Sequence, residues 1–141
     1  MNIQILIQKL IQSNDFFDNF TEDDIQELLK CCSSDTFKDK EALFHEGSTG
    51  NTFHIIISGS VSVSKKNKHV DIVKEGECIG EMGALSGEPR SATAAAIDKI
   101  TVLTFDYKKI ASLSVPVQAK LYKNIALLVS NRLRKRLGHV H

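Results

Sequence analysis

Helical spacing at both ends, with glycine-punctuated, β-branched stretches between them, predicts an α+β chain that is mainly β. Leu6, Ile7, Leu10 and Ile11 repeat at helical spacing near the start, and Val117, Leu121, Ile125 and Leu128 repeat likewise near the end. Between them Gly47, Gly50, Gly59, Gly76 and Gly80 divide short apolar runs. Many short strands with glycine turns predict a compact barrel or sandwich.

The elements follow in order. Ile3 to Ile11 predict an amphipathic helix over residues 2–12, interrupted at Ser13-Asn14-Asp15. Thr21 and Asp24 form a Thr-x-x-Asp capping signal, and Ile25, Leu28, Leu29 and Cys32 give a second short helix. The period changes after Lys38. Phe53, Ile55 and Ile57 alternate with His54 and Ile56, and Val61 and Val63 alternate with serines. That reads as strand–turn–strand with Ser58-Gly59 at the corner. Residues 65–68 form a polar turn into a strand carrying Val70, Ile72 and Val73. Residues 91–96 read as a strand of small residues, and residues 97–105 give another strand. After Ser112 helical character returns, with Pro116 suited to a first turn. An apolar stripe continues toward Leu133 and Leu137, and Gly138 reads as the stop.

Size and composition bound the function. A chain of 141 residues with 42% apolar and 25% charged residues suits one soluble domain with a core of its own. The net charge of +1 offers no global attraction to nucleic acid or a membrane. The basic run Arg132 to Arg136 fits the C-terminal end of a helix dipole. Cys31, Cys32 and Cys78 make no disulfide framework and no CxxC pair. No secretory signal pattern opens the chain. The longest apolar run, 125–129, is far too short for a bilayer. The expected setting is a reducing cytoplasm.

The segment Gly80-Glu-Met-Gly-Ala-Leu-Ser-Gly-Glu-Pro-Arg-Ser91 carries the chemistry. Glu81, Met82, Ala84 and Leu85 suit a short helical turn whose first amides lack intrahelical partners. Gly83 lets an anion approach the backbone. Arg90 supplies a planar cationic fork, and Pro89 stiffens its approach. An ionised Glu81 would repel phosphate but accept from a sugar hydroxyl. Together they suit a ribose phosphate. The same residues also read as a surface salt bridge between Glu81 and Arg90, worth about 0–1 kcal/mol. There is no Gly-Lys-Ser/Thr for a P-loop and no GxGxxG opening a long helix.

This segment, continued by Ala92 and Thr93, closely resembles the phosphate-binding cassette of cyclic nucleotide-binding domains. That family includes catabolite activator proteins, kinase regulatory subunits and nucleotide-gated channels. Leu43 to Val61 is similar to the family's first hairpin region. The resemblance implies an eight-stranded, jelly-roll-like β-roll between N-terminal helices and a long C-terminal lid helix. It implies one domain over 1–141: helices over 1–34, the roll over 35–107 with the cassette at 80–91, and helices over 108–137. Glu81 would accept from the ribose 2′-hydroxyl, and Arg90 would pair with the cyclic phosphate. Amides of Gly83 and Ser91 would face that phosphate, and Gly80 and Met82 would line the site. Arg132 and Arg136, four apart on one helix face, are candidates for stacking on the base, beside a plainer reading as solvated charges.

The expected function is a non-catalytic cyclic nucleotide receptor, with cyclic AMP ahead of cyclic GMP. Ser91 is compatible with either base. Closure of the stripe over residues 117–137 onto the base would signal to an effector protein or a second copy of the chain. No metal or other cofactor is expected. Four alternatives rank below it. A metal enzyme needs clustered ligands, whereas His45, His54, His69, His139 and His141 are scattered. A haem or redox role for Cys78 lacks a second soft ligand. A DNA-binding regulator needs a recognition helix after the last stripe, and the sequence ends at His141. An interaction module on the same fold that binds no ligand remains the runner-up.

Overall fold

A computed structural model describes residues 5, 8, 9, 12 and 15–137. Ile5, Gln8, Lys9 and Gln12 are helical. The rest of the helix expected over 2–12, and the stop at Gly138, lie outside the described residues. A 3₁₀ turn, Asp15–Phe17, leads to α1, Glu22–Leu29. Strands β1 (Cys32–Phe37), β2 (Ala42–Phe44), β3 (Thr52–Lys65), β4 (Lys68–Lys74) and β5 (Cys78–Ile79) follow. Then come α2 (Glu81–Ser86), β6 (Thr93–Asp106), α3 (Tyr107–Ile110) and α4 (Val115–Arg136).

Thr21 and Asp24 form the expected capping box: each side chain accepts the other's backbone N–H, at 3.1 and 3.0 Å. Cys32 is not helical; it opens β1, whose six residues pair with Ile100–Phe105 of β6. The mixed polar pattern Cys-Ser-Ser-Asp-Thr-Phe gave no strand signal, and pairing with β6 supplies what the pattern lacks.

The described chain has six antiparallel strands in one sheet, where eight were expected. The difference lies in β3 and β6, each 14 residues long. Ser58-Gly59 is not a corner between two strands. The chain bulges there, with register shifts on either side, and runs on as β3. Its first half pairs with β5 and its second half with β4. Likewise β6 pairs with β2 through Ala94 and Ala95 and with β1 from Ile100 onward, and Asp98 between them has φ +57°. Bulges bend a strand without ending it. The polar turn is a two-residue hairpin at Lys66 and Asn67, both with positive φ, as a type I′ turn requires.

Alternation along β3 separates two cores. Phe53, Ile55 and Ile57 join Phe16, Phe17, Phe20, Leu28, Val117, Leu121 and Ile125 on the helical side. Ile56 and Val61 join Val73, Ile79, Ala94, Ala96 and Ile100 inside the roll. Each fully buried aliphatic or aromatic side chain contributes about 1.5–3 kcal/mol.

The apolar stripe of α4 is fully buried as far as Ile125, and Leu128 and Val129 are half-buried against the same core; Leu127, Leu133 and Leu137 are exposed. Its buried part docks on the aromatic cluster of Phe16, Phe17 and Phe20, so it does not close over the cassette. Polar contacts hold the same half of α4. Glu27 accepts from the N–H and hydroxyl of Ser114, Lys120 pairs with Asp24 at 2.5 Å, and the buried Asn124 amide donates to the Phe16 carbonyl. The C-terminal half reaches the cassette.

Gly59 sets the bend of β3. Its φ is +97°, and a Cβ there would lie 2.6 Å from Cγ2 of buried Ile100. Gly59→Ala should cost about 2–4 kcal/mol, a left-handed backbone penalty plus overpacking. Urea unfolding checks this.

Candidate nucleotide pocket

Short β5 hands the chain to Gly80, whose φ of +85° turns it into α2. The amides of Glu81, Met82 and Gly83 precede the first intrahelical bond, from Ala84 N–H to the Gly80 carbonyl. The loop through Pro89 then returns to Arg90. The Arg90 N–H donates to the Ser48 carbonyl, and the Arg90 carbonyl accepts from Gly47, which ties the cassette to the loop before β3.

The Arg90 side chain turns inward and is 5% exposed. Nη1 donates to the Gly80 carbonyl at 2.7 Å and Nη2 to the Thr52 carbonyl at 2.6 Å. Its plane sits over the Phe44 ring, 4.4 Å from the centroid, a cation–π contact. Cβ atoms added at Gly50, Gly80 or Gly83 would lie 3.0–3.2 Å from its nitrogens, so backbone without side chains surrounds it on those sides. Burial presses its pKa down and the nearby Glu81 charge opposes this; a guanidinium stays charged throughout.

Glu81 is also buried, 4% exposed. It does not form a surface bridge with Arg90. Its Oε1 lies 3.6 Å from Nη1 of Arg132 on α4. Its Oε2 is buried with no hydrogen-bond partner. Arg132 also faces Glu77 at 3.6 Å and donates to the Cys78 carbonyl at 2.5 Å. One turn later, Arg136 pairs with Asp71 of β4.

These groups enclose a cavity of ≈ 200 Å³. Gly80, Glu81, Met82, Gly83, Arg90 and Ser91 form one wall. Phe44, Val63, Val73 and Ile79 form an apolar floor, and Asp71, Arg132 and Arg136 close the far end. A carboxylate acceptor, a cationic fork and an apolar floor in one concavity suit a ligand with hydroxyl, anionic and flat apolar parts.

Residues 34–114 match the sequence profile of the cyclic nucleotide-binding domain. The chain belongs to this family. It is 30% identical over 120 residues to a cGMP-dependent protein kinase of Eimeria tenella, spanning 85% of this chain and 12% of that kinase. The fold is also that of a cyclic nucleotide-binding domain from Methylobacillus flagellatus, with TM-score 0.83 and 20% identity, covering 96% of this chain and 83% of that one. It likewise matches the regulatory domain of Toxoplasma gondii PKA with cAMP, with TM-score 0.71 and 22% identity, covering 87% of this chain and 49% of that one.

In this cyclic nucleotide-binding domain, the cassette residues named from the sequence all line one cavity. Met82 and Ser91 stand exposed at its rim. Arg132 and Arg136 reach it too, but each is engaged by a carboxylate. Phe44, Asp71, Glu77 and the Thr52 carbonyl also serve the site. Nothing in the pattern marks them, because each acts through a neighbour distant in sequence. Cys78 is fully buried; burial first, and then the Glu81 charge, raise its thiol pKa well above the ordinary range, so it stays protonated and unreactive. No trio of metal-ligating side chains is grouped among the described residues. No described helix is long and apolar enough to cross a membrane.

His54 continues the stack behind Arg90. Its ring lies 6.4 Å from Phe44 at 15°, and Nδ1 is 2.9 Å from the Thr104 hydroxyl. Burial, then the Arg90 charge, lowers its pKa from 6.5 to about 4. The unfolded chain therefore protonates first. This share of stability is full above pH 6.5 and is lost as pH falls toward 4, about 3 kcal/mol in all. An NMR titration should find His54 neutral at pH 5; an imidazolium there would contradict the buried stack.

Proposed function

We propose that the chain captures a cyclic nucleotide and acts as a regulatory module, with no catalytic step of its own, as one domain over 1–141. The observation that carries this is the buried, unpartnered Oε2 of Glu81 beside a fixed guanidinium. An orphaned acceptor in a protein interior costs about 1–3 kcal/mol, which a ribose 2′-hydroxyl would recover. Arg90 spends two of its five donors on carbonyls. The remaining N–H groups, with the amides of Gly83 and Ser91, serve the cyclic phosphate.

The signal runs through α4. Its first half is anchored to α1 and the aromatic cluster, while Arg132 touches the same Glu81 that takes the ribose. A ligand that prefers one placement of the C-terminal half shifts its population. Arg132 and Arg136 thus tie α4 to the pocket, in addition to any stacking on the base. The exposed Leu127, Leu133 and Leu137 offer a face to an effector or a second copy. The whole-protein output belongs to whatever this module regulates. Residues 80–91 hold only ribose and phosphate, so cyclic AMP and cyclic GMP both fit that half of the site.

Calorimetry tests the site. Arg90→Ala should weaken either nucleotide by about 2–5 kcal/mol, as for deleting half of a buried charge pair. A 2′-deoxy nucleotide should bind more weakly to the wild type but no more weakly to Glu81→Ala. Wild-type binding by Arg90→Ala would overturn the assignment, and binding of neither nucleotide would favour an interaction module. Light scattering tests the exposed face: a dimer that Leu133→Glu dissociates supports self-association, and a monomer at all concentrations points to an effector.

A further inference from the structure

One row of residues crosses four strands beneath the pocket. Phe44 of β2 is registered with Ala94 of β6, Ala94 with Val63 of β3, and Val63 with Asp71 of β4. Directly opposed residues in neighbouring strands share a face. Asp71 therefore points to the same side as Val63, and it lines the cavity with Val63 and Val73. The adjacent row, Val73, Val61 and Ala96, is apolar and buried. Asp71 is thus a carboxylate set into an otherwise apolar inward lining.

The row also supplies a ruler. Arg90 sits on Phe44 at one end, and Asp71 is three interstrand steps away, about 14 Å along the sheet and less across its curve. This separates an anion site from a carboxylate by roughly one mononucleotide. With phosphate at Arg90 and ribose at Glu81, the base extends over Val63 and Val73 toward Asp71.

We infer that Asp71 reads the base and that the site therefore prefers guanine to adenine. This rests on the nucleotide reading of the pocket given above. The Asp71 carboxylate accepts from Arg136 through Oδ2 and from the Ile72 N–H through Oδ1 at 2.9 Å. A carboxylate has about four acceptor positions, so each oxygen keeps one. Guanine presents two neighbouring donors, N1–H and the N2 amine. Adenine presents one amine beside the N1 lone pair, which an acceptor-only group repels. Burial pushes the Asp71 pKa up, but the Arg136 hydrogen bond and the Ile72 amide outweigh this and hold it below the ordinary carboxylate range. It is an anion at neutral pH. The inference departs from the expectation that places cyclic AMP ahead of cyclic GMP.

Calorimetric titration of the whole chain with cyclic GMP, cyclic IMP and cyclic AMP tests it. Cyclic IMP keeps N1–H and lacks the N2 amine. The wild type should bind cyclic GMP about 10–100-fold more tightly than cyclic AMP, the range for one bidentate base contact, with cyclic IMP between them. Asp71→Asn, close to isosteric, should erase most of that ratio by weakening cyclic GMP alone. Arg136→Gln frees α4 from β4 but keeps the carboxylate. It should alter both affinities together and preserve the ratio. A wild type that prefers cyclic AMP overturns the inference. So does an unchanged ratio in Asp71→Asn, or a ratio that Arg136→Gln erases equally, which would make Asp71 only an anchor for α4. If Arg90→Ala abolishes binding while the ratio ignores Asp71, this inference alone falls. If the wild type binds none of the three, the nucleotide reading falls with it.

Discussion

A guanidinium removed from water keeps its charge, so the protein must supply acceptors in a fixed place. Arg90 obtains them from two carbonyls, Gly80 at the start of α2 and Thr52 at the start of β3. The rest of the pocket depends on this arrangement. It joins the two ends of the cassette at Gly80 and ties the cassette to the sheet at Thr52, with Phe44 beneath and glycine backbone around. A side chain at Gly80 would meet both the guanidinium and the Phe44 ring, each at 3.0 Å, and the backbone φ of +85° would be strained as well. The glycines thus serve the placement of the arginine in addition to the approach of an anion.

The second constraint is the split along α4. One end is buried in an aromatic cluster and capped by Glu27 of α1. The other is held by charged contacts to Glu77, Glu81 and Asp71. Apolar burial is insensitive to a ligand elsewhere, whereas an ion pair sharing its carboxylate with a ligand is not. A ligand that engages Glu81 therefore acts on the end of the helix that polar contacts hold, while the packed end stays in place.

The legibility of the chain follows the range of the interactions. The Thr21 capping box, the Lys66-Asn67 turn, α2 and the Pro116 entry to α4 depend on residues a few positions apart, and each was readable. The cassette was readable through its residue types and their resemblance to a family. Strand β1 was not, because its polar sequence is held by pairing with a strand some 65 residues away. The corner assigned to Ser58-Gly59 failed for a related reason. A glycine of positive φ makes a turn or a bulge equally well, and the pairing of both halves of β3 with β6 selects the bulge.

By itself the sequence determined the chemical types at the pocket, one carboxylate, one guanidinium and the glycines between, because those are fixed by side chains near one another in the chain. It also determined the class of the fold, because hydrophobic period is local. The tertiary structure decided which groups face each other. It buried Glu81 and Arg90 apart instead of pairing them on the surface. It ended the docked stripe of α4 at Val129 and brought Arg132 to Glu81. It set Asp71 in the row that starts under Arg90. Strand register brings residues 44, 63, 71 and 94 side by side, and no pattern along the chain records a register between strands.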